Sequence, residues 1–164
     1  FESLLDVVEH LHKMNPPIIH RDIKPSNIIL DETDEPHLVD FGAVRDCLRS
    51  DGSVGSTTAG TFGYMPAEQA MGTARPASDL YALAMTLVVA ATGREPGSLP
   101  MGDRTGKVRL RELDLPKTLI PALDGMLEPI VGNRLASIGA VRKVLARGRM
   151  LGKTARIFCR STAP

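Results

Sequence analysis

Tryptophan is absent, and four phenylalanines and two tyrosines in 164 residues leave any core to be built from aliphatic side chains. The two cysteines, Cys47 and Cys159, make no Cys-x-x-Cys or Cys/His spacing. That excludes a disulfide framework or zinc ribbon and fits a reducing compartment. Charge of one sign is also lacking: 20 Lys+Arg stand against 19 Asp+Glu, a formal balance of +1. Nothing in that balance attracts nucleic acid or an anionic membrane, so any phosphate-handling site must be local. The longest apolar run, "ALAMTLVVAATG", is too short to span a bilayer. No basic segment followed by an apolar one opens the chain, which reads as cytoplasmic with no membrane segment. What is present is an ordinary globular composition, 43% hydrophobic, without repeats or low-complexity tracts.

Leu4, Leu5, Val8 and Leu11 recur at helical spacing and predict an amphipathic helix over residues 1–14, stopped by Asn15, Pro16 and Pro17. Two β-prone segments, "NIIL" and "HLVD", flank the turn-forming "DETDEP" and predict a short hairpin in which Ile28 and Leu30 face the core. Residues 50–63 are rich in Gly, Ser and Thr and read as a loop. Residues 77–92 are apolar on every side, the pattern of a buried helix, with Ser78 and Asp79 at its N-cap and Gly93 closing it. An irregular stretch over 93–117 follows, then helices over 118–128 and 134–147. The tail, 148–164, has weak periodicity and is expected to lack fixed structure.

The chemistry gathers in "IIHRDIKPSNIIL", where an isoleucine frame holds His20, Arg21, Asp22, Lys24 and Asn27, and in "DFG" at Asp40, Phe41 and Gly42. These, with "GTFGYMPAEQ", resemble in order and spacing the catalytic loop, metal-binding loop and activation-segment end of protein kinases. "SDLYALAMTL" resembles the buried helix that follows in bacterial serine/threonine kinases. The resemblance covers residues 1–147 and implies a kinase catalytic domain, or its large lobe: mostly α, with a short β-hairpin at the open face.

The implied activity is transfer of a phosphoryl group from ATP, with Mg²⁺, to a serine or threonine hydroxyl of a protein substrate. Such chemistry asks the protein to position groups and spread charge rather than to form bonds itself. By resemblance, Asp22 orients the hydroxyl and accepts its proton, Lys24 neutralises the transferred phosphate, and Thr61 contacts both. Asn27 and Asp40 would hold Mg²⁺, a hard cation that prefers oxygen ligands. Ile29 shares a face with Asn27 and would floor the adenine; taken alone, Ile29 reads equally well as core. His20 and Phe41 match residues that pack internally. Glu68 and Arg134 match a buried ion pair, and Asp79 an aspartate that caps the buried helix while bonding the catalytic-loop backbone. Arg21 resembles an arginine that binds a phosphorylated activation loop, for which Thr57 and Thr58 are the candidate phosphosites.

Two departures qualify the resemblance. The usual Ala-Pro-Glu stands here as Pro66, Ala67, Glu68, and no Gly-rich loop or strand lysine precedes the first helix. The small N-terminal lobe is therefore expected to be missing, so that the chain alone binds Mg-ATP weakly and transfers little phosphate. The alternative is a non-catalytic kinase-like module that binds protein partners, which has no physical need to keep Asp22, Lys24, Asn27 and Asp40 together.

Overall fold

The structure, a computed structural model, describes residues 1–41 and 60–150, without the side chains of the last two. Gly42, Thr57, Thr58, both cysteines and the tail beyond residue 150 lie outside the described residues. The described residues are mostly helical, with one two-stranded sheet among them.

Helix α1 (Glu2–Lys13) buries Leu4, Leu5, Val8 and Leu11, the stripe its spacing predicts. It ends at Met14, whose backbone is already extended, ahead of a cis Asn15–Pro16 peptide. Strands β1 (Ile28–Leu30) and β2 (Pro36–Leu38) pair antiparallel, with Ile28 opposite Leu38 and Leu30 opposite Pro36. In the turn between them, Asp31 Oδ1 accepts the backbone N–H groups of Thr33, at 2.8 Å, and Glu35, at 3.0 Å. This is the local bonding that makes Asp a turn residue. Ile28 packs against the core, but Leu30 is 46% exposed. The expectation that Leu30 faces inward fails because it sits at the turn end of the hairpin, whereas α1 packs against β2.

A four-residue helix, α2 (Ala67–Ala70), leads into α3 (Pro76–Thr92), the centre of the core. Leu80, Leu83, Ala84 and Val88 of α3 are wholly buried, and Gly93 closes it in the left-handed conformation, φ 65°. Its start differs from the expected one. Arg75 is the N-cap, Pro76 takes the first helical position, and the Ser78 hydroxyl accepts the Arg75 N–H at 3.1 Å. Asp79 therefore does not cap α3; it lies in the first turn and bonds elsewhere.

Residues 93–117 hold two short 3₁₀ turns and one isolated bridge, Met101 to Val108, and lend Leu99, Val108, Leu110, Leu113 and Leu115 to the core. Helix α4 (Ile120–Met126) packs against α3 and against α5 (Ile138–Met150). Helix α5 starts four residues later than its periodicity suggests. Ser137 is the reason: its hydroxyl accepts the Ala140 N–H at 3.3 Å, and its carbonyl the Val141 N–H at 3.1 Å. Ser137→Ala is expected to cost about 1 kcal/mol, read as a lower midpoint in urea unfolding; an unchanged midpoint would remove Ser137 as the cap. Among the described residues, no helix is long and apolar enough to cross a membrane.

Candidate active site

The segment between α1 and β1 runs across the N-terminal end of α3, and the buried Asp79 carboxylate fastens it there. Asp79 Oδ2 accepts the His20 N–H and Oδ1 the Arg21 N–H, both at 2.9 Å. His12 of α1 adds a third tie, its Nε2 lying 2.8 Å from Asp79 Oδ2. Arg21 is held in the left-handed region, φ 69°, where a residue with a side chain stays only when its surroundings insist. His20 is fully buried and meets Phe41 edge-on, ring centroids 4.8 Å apart, but Phe41 is 37% exposed, so the internal packing expected of both holds for His20 alone. Burial pushes the His20 imidazole below its ordinary pKa despite the opposing pull of Asp79, Val39, Asp22 and Asp40. It is a neutral packing group at physiological pH.

Three predicted site residues meet around Asp22. Its Oδ1 accepts the Thr61 hydroxyl at 2.8 Å, and its Oδ2 accepts the Asn27 amide at 3.0 Å. The Lys24 ammonium lies 2.9 Å from Oδ2 and also donates to Thr61 Oγ1 at 2.7 Å. Burial raises the Asp22 pKa, but hydrogen bonds from Lys24, Thr61 and Asn27 and the Lys24 charge outweigh it, leaving the carboxyl below its ordinary range. At neutral pH it is an ionised acceptor of fixed direction.

The Asn27 amide nitrogen is committed to Asp22, since it also donates to the Asp22 carbonyl at 2.8 Å. Oδ1 is then the atom of this buried amide with ligand chemistry. Asp40 is drawn close because the Val39 N–H donates to the Asn27 carbonyl at 2.9 Å, and the chain then turns at Asp40 with φ 65°. The backbone thus brings position 40 next to the Asn27 turn, 13 residues earlier in sequence, and a carboxylate and an amide oxygen are ligand types that Mg²⁺ takes. Ile29, on β1 just beyond Asn27, is 55% exposed, so it is not core.

Glu68 and Arg134 form a bidentate pair, with Nη1–Oε1 2.6 Å and Nη2–Oε2 3.3 Å. Arg134 spends its remaining donors on the carbonyls of Ala77 at 3.1 Å, Glu128 at 2.8 Å and Pro129 at 3.1 Å. The Ser78 hydroxyl donates to Glu68 at 2.8 Å, and Tyr81 lies under the guanidinium at 5.0 Å. Burial raises the Glu68 pKa, and the bonds from Arg134 and Ser78 overcome this to hold it below the ordinary range. Pro66, the exchanged position, is the extended N-cap of α2, and Glu68 still reaches its partner.

Two residues at the site escaped the sequence reading. His12 sits on an amphipathic helix 67 residues from Asp79, and no local pattern announces that contact. Gln69, buried beside Glu68, donates from Nε2 to the Arg21 carbonyl. Its only sequence signal is its place directly after Glu68.

A family model for the protein kinase domain matches residues 1–129. Among curated relatives, the serine/threonine-protein kinase PknA of Nostoc sp. is 42% identical over 130 residues, which cover 74% of this chain and 23% of PknA. Serine/threonine-protein kinase C of Synechocystis sp. is 44% identical over 116 residues, 67% of this chain and 21% of its own. Kinase F of the same organism is 37% identical over 151 residues, 90% and 30% of the two chains. The chain thus spans less than a third of the length of these relatives. Matched over most of its own length, and carrying the Asp22 network described above, it belongs to the protein kinase domain family, of the bacterial serine/threonine type.

Proposed function

We propose that the protein carrying this chain transfers the terminal phosphoryl group of Mg-ATP to serine or threonine hydroxyls of protein substrates, with residues 1–147 serving as the large lobe of its catalytic domain. The observation that carries this reading is the Asp22 carboxylate, oriented at once by Thr61, Asn27 and Lys24. A carboxylate so fixed is suited to align a hydroxyl and take its proton as the oxygen attacks. Lys24 sets a positive charge beside that oxygen, where negative charge builds up. Asn27 Oδ1 and the Asp40 carboxylate would hold Mg²⁺. When bound, the metal and ATP supply the phosphoryl group and offset its charge. Ile29 offers an apolar floor for the adenine, and the pairing of Lys24 with Thr61 supports serine and threonine as acceptors. The role of Arg21 toward a phosphate on Thr57 or Thr58 belongs to the same proposal.

The sequence encodes no Gly-rich loop or lysine-bearing strand to roof the nucleotide. Residues 1–164 alone should therefore bind Mg-ATP weakly. The test is phosphate transfer from labelled ATP to a general protein substrate by the full-length protein, with the modified residues identified by mass spectrometry. Phosphoserine and phosphothreonine are the expected products. Nucleotide binding without transfer to any substrate or to the protein itself would favour the non-catalytic, partner-binding module instead.

A further inference from the structure

The strained backbone at Arg21 is gripped from both sides. Asp79 holds the Arg21 N–H and so fixes the peptide plane that enters Arg21. The plane that leaves Arg21 contains its carbonyl and the Asp22 N–H, and the carbonyl is held by Gln69 Nε2. Among the described residues the Asp22 N–H reaches His20 Nδ1, at a long 3.4 Å, so the carbonyl bond is the stronger restraint on that plane. A carbonyl can only accept, which settles that the amide nitrogen of Gln69 faces it.

The bond also explains a neighbour. Gly60 has φ 134°, and a Cβ there would lie 2.5 Å from Gln69 Nε2 and 2.9 Å from the Arg21 oxygen. Only glycine leaves the two groups room to meet. Gln69 in turn is 3% exposed and sits beside Glu68, whose pairing with Arg134 and Ser78 anchors α2.

We propose that Gln69 is a positioning residue: by clamping the peptide plane that enters Asp22, it aims the Asp22 carboxylate, and Gly60 is glycine to admit that clamp. The kinetic half of this inference rests on the phosphotransfer reading; the clamp itself does not. A small error of aim matters because transfer demands near-attack geometry.

The experiment compares full-length wild type with Gln69→Met, which keeps the volume without a donor, and Gln69→Glu, which sets a carboxylate oxygen against the carbonyl. Amide hydrogen exchange of residues 20–24 is read against that of α3 in the same sample, which reports global opening. Both variants should exchange roughly tenfold faster at 20–24 relative to α3, with kcat lowered about tenfold in Gln69→Met, more in Gln69→Glu, and KM for ATP unchanged. Unchanged relative exchange in both variants overturns the clamp. Faster exchange with undiminished kcat overturns the positioning role. A wild type inactive on every substrate would sink the phosphotransfer reading, while the exchange data would still decide the clamp.

Discussion

Asp22→Asn is expected to lower kcat by roughly 10²–10⁴-fold while leaving the unfolding midpoint and the KM for ATP close to wild type. The substitution keeps the side-chain shape but removes the charge and one acceptor. Of the three donors that meet at this carboxylate, Thr61 and Asn27 approach different oxygens and Lys24 lies beside the second. An amide can face only one side with oxygen, so one side must face a donor with NH₂. Thr61 can turn its hydroxyl and keep its bond from Lys24, which limits the structural cost. What cannot be replaced is a base for the departing proton. The check is single-turnover transfer with saturating Mg-ATP, beside thermal unfolding of both proteins. A variant within a few fold of wild type would remove Asp22 from the proposed role, whereas a large loss of stability would show that the network mainly supports the fold.

The second large effect is on stability. Arg134→Met should destabilise the protein by about 3–5 kcal/mol, because it leaves the Glu68 carboxylate buried without its partner. Lysine would not rescue it, since one ammonium cannot reproduce a fork that reaches Glu68 and three carbonyls. The double variant Glu68→Leu with Arg134→Met should recover a large part of the loss. The sign with pH follows from Glu68. In the wild type its folded pKa is depressed, so its contribution is complete above the ordinary glutamate range and fades as pH falls through the folded value. In Arg134→Met, burial is opposed mainly by the Ser78 bond and the pKa rises, so acid relieves the variant while it weakens the wild type. Urea midpoints at neutral and acidic pH should converge. A gap that stays constant with pH would show the cost to lie in lost packing, including the stack on Tyr81, rather than in a stranded charge.

The sequence was most legible where information is local. Helix α1 could be read because one buried stripe repeats every three or four residues, and the hairpin because "DETDEP" carries its own turn chemistry. Capping was read less well. The apolar run of α3 drew attention to Ser78 and Asp79, although Pro76 at the first helical position was the better marker of its start. At α5, Ser137 was the marker passed over in favour of a start at 134, while the unusual work of Arg134, outside any helix, was visible only by resemblance. Asp22, Lys24, Asn27 and Thr61 could be nominated from their motifs, but their mutual bonds span up to 39 residues and emerge only when the chain is folded. His12 and Gln69 lay beyond reach for the same reason: each bonds a partner 48 or more residues away, with no periodic or motif signal of its own.

The pair of Glu68 and Arg134 joins positions 66 residues apart, and the stretch it encloses contains all of α3 and α4. Closing a loop of that span is entropically slow, and there is little to gain from it until the helices inside have packed. The brace is therefore a latch, set after the enclosed helices have packed. Its stabilisation falls mainly on the barrier to unfolding and so lengthens the life of the native state without hastening its arrival.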